Sequence, residues 1–248
     1  MLDRIMHGIS RKIDSLQSRS QLSTLRREDR KLVSQVREKR LTYLSDRKIA
    51  SLVRTCRSIE ARSLEGIFLE AGCALGGSAI VLASLKRRDR ALHVYDVFGM
   101  IPPPTEEDTE EVHARYRTIV EGQSAGIDGD RYYGYVDDLY EVVKANLASF
   151  DLPCEEHCIS LIKGLVQDTL ILDVPVAFAH IDVDWYEPVK TCLERVFPRL
   201  VVGGSIILDD YHDWGGCRKA TDEYLGQITG QFSLDDSAGS MRIDKKAS

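Results

Sequence analysis

Apolar residues recur at helical spacing through the first 62 positions, most clearly in "LVSQVREKRLTYLSDRKIASLVRTCRSIE", and this part of the chain reads as helices. Ser45 followed by Asp46 is a fitting N-cap for a helix that runs to about Glu60. The period then changes. "GIFLEAG" (66–72) predicts a short strand breaking at a glycine-rich turn, and "SAIVLASLKRRD" (78–89) predicts a helix that opens directly after it. Further strands are predicted at "ALHVYD" (91–96), "CISLIKG" (158–164), "VAFAHID" (176–182) and "GSIILDD" (204–210), with a helix at 189–200 between the last two. "FSLDD" and "SMRID", joined through "SAGS", predict a terminal antiparallel hairpin.

Strands alternating with helices define an α/β fold with a mostly parallel sheet, seven strands in all, covered on both faces. Ligands of such sheets sit outside the carboxyl ends of the strands. The connection 101–138 is acidic, rich in Pro, Gly and Tyr, and longer than ordinary loops, so it reads as a lid or binding loop. The expected organisation is a helical N-terminal segment (1–62) followed by one domain (63–248) that carries this insertion.

With 43% hydrophobic residues in 248, the chain can bury a single large core. No apolar run approaches the ~18 residues of a membrane helix. The N-terminus lacks the apolar stretch of a secretory signal, and six scattered cysteines fit a reducing cytoplasm. "CEEHC" has no second half-site, so structural zinc is not expected there. The net charge of −6 divides into +9 over residues 1–62 and −15 over 63–248. The basic leader reads as a solvated helical face, or as one that neutralises a neighbouring subunit in a homo-oligomer. The acidic body argues against docking on nucleic-acid phosphates.

"LEAGCALGGSA" follows a strand and precedes a helix, so its backbone amides can face a ligand. The lysine of a phosphate loop is missing, and Gly72, Gly76 and Gly77 do not have dinucleotide GxGxxG spacing. A nucleotide-binding dehydrogenase is therefore the weaker alternative. Asp96 ends the next strand 24 residues past Gly72, where a carboxylate can accept both hydroxyls of an adenosine ribose.

Four carboxylates end two core strands: Asp182 and Asp184 after one, Asp209 and Asp210 after the other. If the strands are neighbours, Asp182, Asp209 and Asp210 converge, and uncompensated they would raise one another's pKa and destabilise the fold. Mg²⁺ or another hard divalent cation removes that conflict and leaves open positions for substrate oxygens. Such a cation lowers the pKa of a bound hydroxyl. Asp184 is then the first candidate for general base, although its role and that of Asp182 can be exchanged. His212, just after the paired acids, is a second base candidate or a partner to the ligands, whereas His180 inside its strand reads as a core histidine.

"FLEAGCALGGSA", "VYDVFG" and the block from "AHIDVDWYEP" to "CRKATDEY" together resemble the macrocin O-methyltransferase family, over about residues 45–245. The resemblance implies a Rossmann-like class I methyltransferase fold and metal-assisted transfer of a methyl group from S-adenosylmethionine to a sugar hydroxyl of a glycoside. Methylation of a catechol-like hydroxyl is the alternative within that chemistry. Carried over, Glu70, Gly72 and Ser78 would meet the methionine end of the cofactor and Asp96 the ribose. Gln167 or Asp168 would lie near the adenine, and Asp182, Asp209 and Asp210 would hold the metal. Tyr132, Tyr133, Tyr135 and Tyr140 are candidates to contact the acceptor, or to pack the lid.

Overall fold

The structure is a computed structural model that describes residues 21–228 and 230–247. The part of the predicted helical leader in residues 1–20 lies outside the described residues. Two helices, α1 (Arg27–Glu38) and α2 (Asp46–Ala61), precede β1 (Ile67–Ala71), α3 (Gly77–Leu85) and β2 (Leu92–Asp96). The insertion contains α4 (Glu110–Val120) and is followed by α5 (Leu139–Ala148), β3 (Ile159–Lys163) and the one-turn α6 (Val166–Thr169). β4 (Val176–Ile181), α7 (Tyr186–Val196), β5 (Leu200–Leu208), α8 (Gly215–Gln227), β6 (Phe232–Asp235) and β7 (Met241–Lys245) complete the chain.

The seven strands form one sheet in the order β3-β2-β1-β4-β5-β7-β6. The first five are parallel, and β7 pairs antiparallel with both β5 and β6. The mostly parallel α/β sheet and the terminal hairpin are therefore as the sequence pattern indicates, and the Rossmann-like class is as the resemblance implies. β1 and β4 are buried along their whole length, which is why they read as apolar runs, each broken once, by Glu70 and His180, rather than as alternating ones. The winding of the sheet reverses between β1 and β4, and a crevice opens there beyond the strand ends.

Ser45 caps α2 as expected, its hydroxyl accepting from the Lys48 amide at 3.3 Å. α3 is apolar all round because it is covered on all sides, and eight of its nine residues are buried. Its predicted extension to residue 89 fails because Lys86 turns extended and sends its ammonium to the His157 carbonyl, 2.6 Å away. β5 begins at Leu200, earlier than expected, with a register shift against β4 and Gly203 at φ +82° absorbing the irregularity. Asp209 and Asp210 lie just past β5 in a 3₁₀ turn instead of inside the strand.

The described part of the leader is not a separate layer. Val33, Val36, Ile49, Leu52, Val53 and Ile59 share one core with Phe68 and Phe178 of the sheet. The buried guanidinium of Arg90 seals the junction, binding Glu60 at 2.6 Å, the Leu64 carbonyl at 2.7 Å and the Gly66 carbonyl. Among the described residues no helix is long and apolar enough to cross a membrane.

Gly72 shows how closely the strand ends approach. It adopts φ +83°, and a Cβ there would lie 1.8 Å from the Asp182 carbonyl oxygen. Only glycine lets the turn after β1 lie against the end of β4, where the Asp182 amide donates to the Ala71 carbonyl at 2.8 Å. Gly72→Ala is expected to cost at least about 1–3 kcal/mol, since backbone must move and φ is unfavourable. An unchanged urea midpoint would show that this approach is not as tight as described.

Candidate active site

A cavity of about 630 Å³ lies over the carboxyl ends of β1, β2, β4 and β5, well within the range of small-molecule sites. One end is walled by Gly72, Ala74, Tyr95, Asp96 and the Gly164–Gln167 turn. The middle holds Asp182, Asp184, Asp209 and Asp210. The far end is built from the insertion and its neighbours: Pro102, Arg115, Tyr132, Tyr133, Trp185 and Trp214.

At the first end, Asp96 is buried, with its two oxygens accepting from the Cys73 and Phe98 amides at 2.7 Å each. Burial raises its pKa and these amide bonds work against the rise. They also fix the carboxylate toward the cavity and leave lone pairs for a ligand's hydroxyls. Gln167 lines the same end, and its Oε1 is buried without a hydrogen-bond partner. An orphaned amide oxygen at the cavity wall suits a ring that carries an N–H donor. Gly72, Asp96 and Gln167 thus fit an adenosyl cofactor.

Three other residues expected at the cofactor stand elsewhere. Glu70 is fully buried within β1 and does not line the cavity; its Oε1 lies 2.9 Å from Nδ1 of His180 on the adjacent strand. Burial works against a charged imidazole, but the Glu70 carboxylate outweighs it and holds His180 above its ordinary pKa. His180 is therefore a core histidine with a partner. Ser78 is buried in the first turn of α3, and Asp168 is exposed on the outer side of α6, both outside the cavity wall. His212 is also outside it, 3.4 Å from Asp236 of the terminal hairpin loop and edge-on to Tyr211. Glu70 is turned to His180 by the pairing of β1 with β4, and His212 to Asp236 by the terminal hairpin, and such partners come from tertiary packing.

The acids do converge. Carboxylate oxygens of Asp182, Asp184 and Asp210 lie within 4.8 Å of one another, and a second group joins Asp209, Asp210 and Asp213. Asp184 reaches the centre through a left-handed backbone, φ +57°, inside a tight turn closed by the Trp185 amide on the Val183 carbonyl at 2.6 Å. Such strain in a non-glycine residue persists only where surroundings impose it. Burial, reinforced by neighbouring carboxylates, pushes the Asp182, Asp184 and Asp210 carboxyls above the ordinary range. Asp209 Oδ1 and Asp210 Oδ2 are buried without any hydrogen-bond partner. Unsatisfied acceptors within a crowd of carboxylates are the chemistry of a hard-cation site, so the donor set fits a divalent ion. "CEEHC" joins no such cluster among the described residues.

Several lining residues carry no local signal in the sequence. Lys48 reaches from α2 to Asp209 Oδ2 at 2.9 Å and Asp213 at 2.6 Å. Burial opposes its charge, but the two carboxylates more than compensate and keep its pKa above that of an ordinary lysine. Asp108, one acid among many in the insertion, accepts from the Tyr186 amide at 2.8 Å and the Thr105 amide at 2.9 Å. With the Trp185 indole donating to the Pro102 carbonyl at 2.9 Å, it fastens the insertion beside Asp184. Ile101, Val112, Ile119, Tyr132 and Trp185 form a small core there, so the insertion is a folded layer. Tyr132 and Tyr133 line the cavity, whereas Tyr135 binds the Ile119 carbonyl and Tyr140 packs on Phe98.

A parallel sheet of this order, with a glycine turn and acid at one end of the crevice and clustered carboxylates at the other, defines a methyltransferase of the Rossmann-like class. Residues 9–234 match the model of the macrocin-O-methyltransferase (TylF) family. The chain belongs to that family, and it is an O-methyltransferase for which S-adenosylmethionine is the methyl donor. The match takes in most of the leader, which the motif resemblance had left out as far as residue 44, and the dehydrogenase alternative falls with it. Among curated relatives, the chain is 25% identical to demethyldecarbamoylnovobiocin O-methyltransferase of Streptomyces niveus, over 75% of this chain and 68% of that one. It is 27% identical to 8-demethyl-8-(2,3-dimethoxy-alpha-L-rhamnosyl)-tetracenomycin-C 4'-O-methyltransferase of Streptomyces olivaceus, over 80% of this chain and 73% of that one. The solved structure of the O-methyltransferase NovP superposes with a TM-score of 0.69 at 22% identity, covering 84% of this chain and 83% of that one, and so shares the fold.

The Glu70–His180 pair gives a stability test. Glu70→Ala leaves a buried imidazole without its counter-charge and should cost about 3–5 kcal/mol in urea unfolding. A loss below about 1 kcal/mol would mean that His180 is neutral and indifferent to Glu70.

Proposed function

We propose that this enzyme methylates a sugar hydroxyl of a glycosylated natural product, with a hard divalent cation at the acidic centre. The observation that carries the reading is the crowding of carboxylates, with Asp209 and Asp210 buried and each keeping an unpartnered oxygen, between the cofactor end of the cavity and its aromatic end. A relative whose name gives a rhamnosyl-tetracenomycin as acceptor supports the sugar. Asp182 and Asp210 from one cluster, together with the free oxygen of Asp209, which neighbours Asp210 in the other, would hold the ion, which when bound lowers the pKa of an acceptor hydroxyl and orients it. Asp184, presented by its strained turn, takes up the proton released as the methyl group is transferred.

The remaining residues supply position. Asp96, Gly72 and Gln167 fix the adenosyl group, so that the donor faces the acids at the centre of the cavity. Tyr132, Tyr133, Trp185 and Trp214 offer aromatic faces and polar edges suited to a sugar ring and its aglycone. Asp108 and Trp185 hold that wall against the β4–α7 turn, which carries Asp184.

Two experiments test the proposal. Asp182→Asn and Asp210→Asn should each lower kcat by about a hundredfold or more, while S-adenosylhomocysteine binding by calorimetry changes little. Full turnover of a glycoside panel in excess chelator would rule the metal out, and methylation of catechols alone would rule the sugar out. Asp108→Ala should raise the acceptor KM about tenfold with a small effect on the cofactor KM. Equal changes in both would show that the insertion does not form the acceptor wall.

A further inference from the structure

Lys48 stands at the third position of α2, where the exposed amides of a helix N-terminus favour an anion. A cation there calls for a strong answering charge, and the structure supplies one from the other end of the fold. Its ammonium donates to Asp209 Oδ2 at 2.9 Å, to the Asp209 carbonyl at 3.1 Å and to Asp213 Oδ2 at 2.6 Å. Three donors meet three acceptors, so the group is saturated. Its side chain is 14% exposed. Among the described residues no other cation is ion-paired with any of Asp182, Asp184, Asp209 or Asp210. Arg115, the other cation on the cavity wall, donates to the Ser124 hydroxyl at 2.9 Å.

We infer that Lys48 is the internal counter-cation of the acidic centre: it positions Asp209 and limits how tightly the centre holds a divalent ion. This rests on the metal reading proposed above. Two physical effects act in the same direction. A fixed positive charge beside the carboxylates repels a second cation, more strongly in a buried site than in water. With Oδ2 committed to Lys48, Asp209 has only Oδ1 to offer, and ion affinity follows the number and charge of available oxygens. Removing the ammonium raises the negative charge of the centre by one and frees a second oxygen. The ion should then bind more tightly, even though the protein loses a contact between α2 and the turn after β5. A purely structural clamp predicts a loss of stability with no gain in ion affinity.

The test uses the full chain with Mn²⁺ as the probe, its binding followed by electron paramagnetic resonance and folding by thermal melting. Lys48→Met should hold Mn²⁺ about tenfold more tightly than wild type, while Lys48→Arg stays within about twofold. Lys48→Gln sheds the charge but keeps hydrogen-bonding capacity, and it should behave as Lys48→Met does should the latter fold poorly. Unchanged or weaker Mn²⁺ binding in a folded, uncharged variant overturns the inference. If wild type binds S-adenosylhomocysteine but no Mn²⁺, the metal reading fails and takes this inference with it. If wild type binds Mn²⁺ and the variants do not differ, only the role of Lys48 falls.

Discussion

Repulsion among buried carboxylates is the constraint around which the rest of this molecule is organised. Four acids at the ends of β4 and β5 form two groups that share Asp210, with Asp209 and Asp210 buried and Asp182 and Asp184 half-buried on the cavity wall. A fold does not keep such a cluster without compensation, because each group disfavours the charge of the next. Part of the compensation is visible in Lys48 and its two ion pairs. The rest is left as unpartnered oxygens facing a cavity, which is what distinguishes a binding centre from a structural salt-bridge network.

Holding the acids at that point depends on backbone devices with no chemical role of their own. Gly72 lets the turn after β1 touch the end of β4, so the cofactor end and the acidic centre share one wall. The left-handed residue Asp184 turns the chain sharply enough to return its carboxylate to the centre. The insertion is anchored at the same turn, through Trp185 and through the amide of Tyr186. The proposed acceptor wall and the proposed base are thus parts of one packed unit, and alignment of this kind is the main contribution a direct transfer reaction asks of a protein.

The N-terminal helices belong to this design. α2 shares its core with the sheet, delivers Lys48 to the acids, and follows a segment whose Tyr43 and Leu44 line the cavity. The family match beginning at residue 9 agrees with that dependence. A leader that reads by charge as a basic appendage is, over its described part, one side of the site.

The α/β class, the strand ends and the acids that close them were legible in the sequence, because each rests on local periodicity or on residue types at a strand's carboxyl end. Asp96, the four central carboxylates and the core identity of His180 were read that way, whereas Gln167 came from the family resemblance, and the structure sets Asp96, Gln167 and the four acids on the cavity wall. Glu70, Ser78, Asp168 and His212 sit near the right elements but face elsewhere, since half a turn of helix or one step along a strand reverses a side chain. Tertiary structure alone decided the pairings across long separations. Lys48 meets Asp209 across 161 positions and Asp108 meets the Tyr186 amide across 78. No local pattern encodes such contacts, because they exist only once the sheet has brought the segments together and burial has made their charges matter.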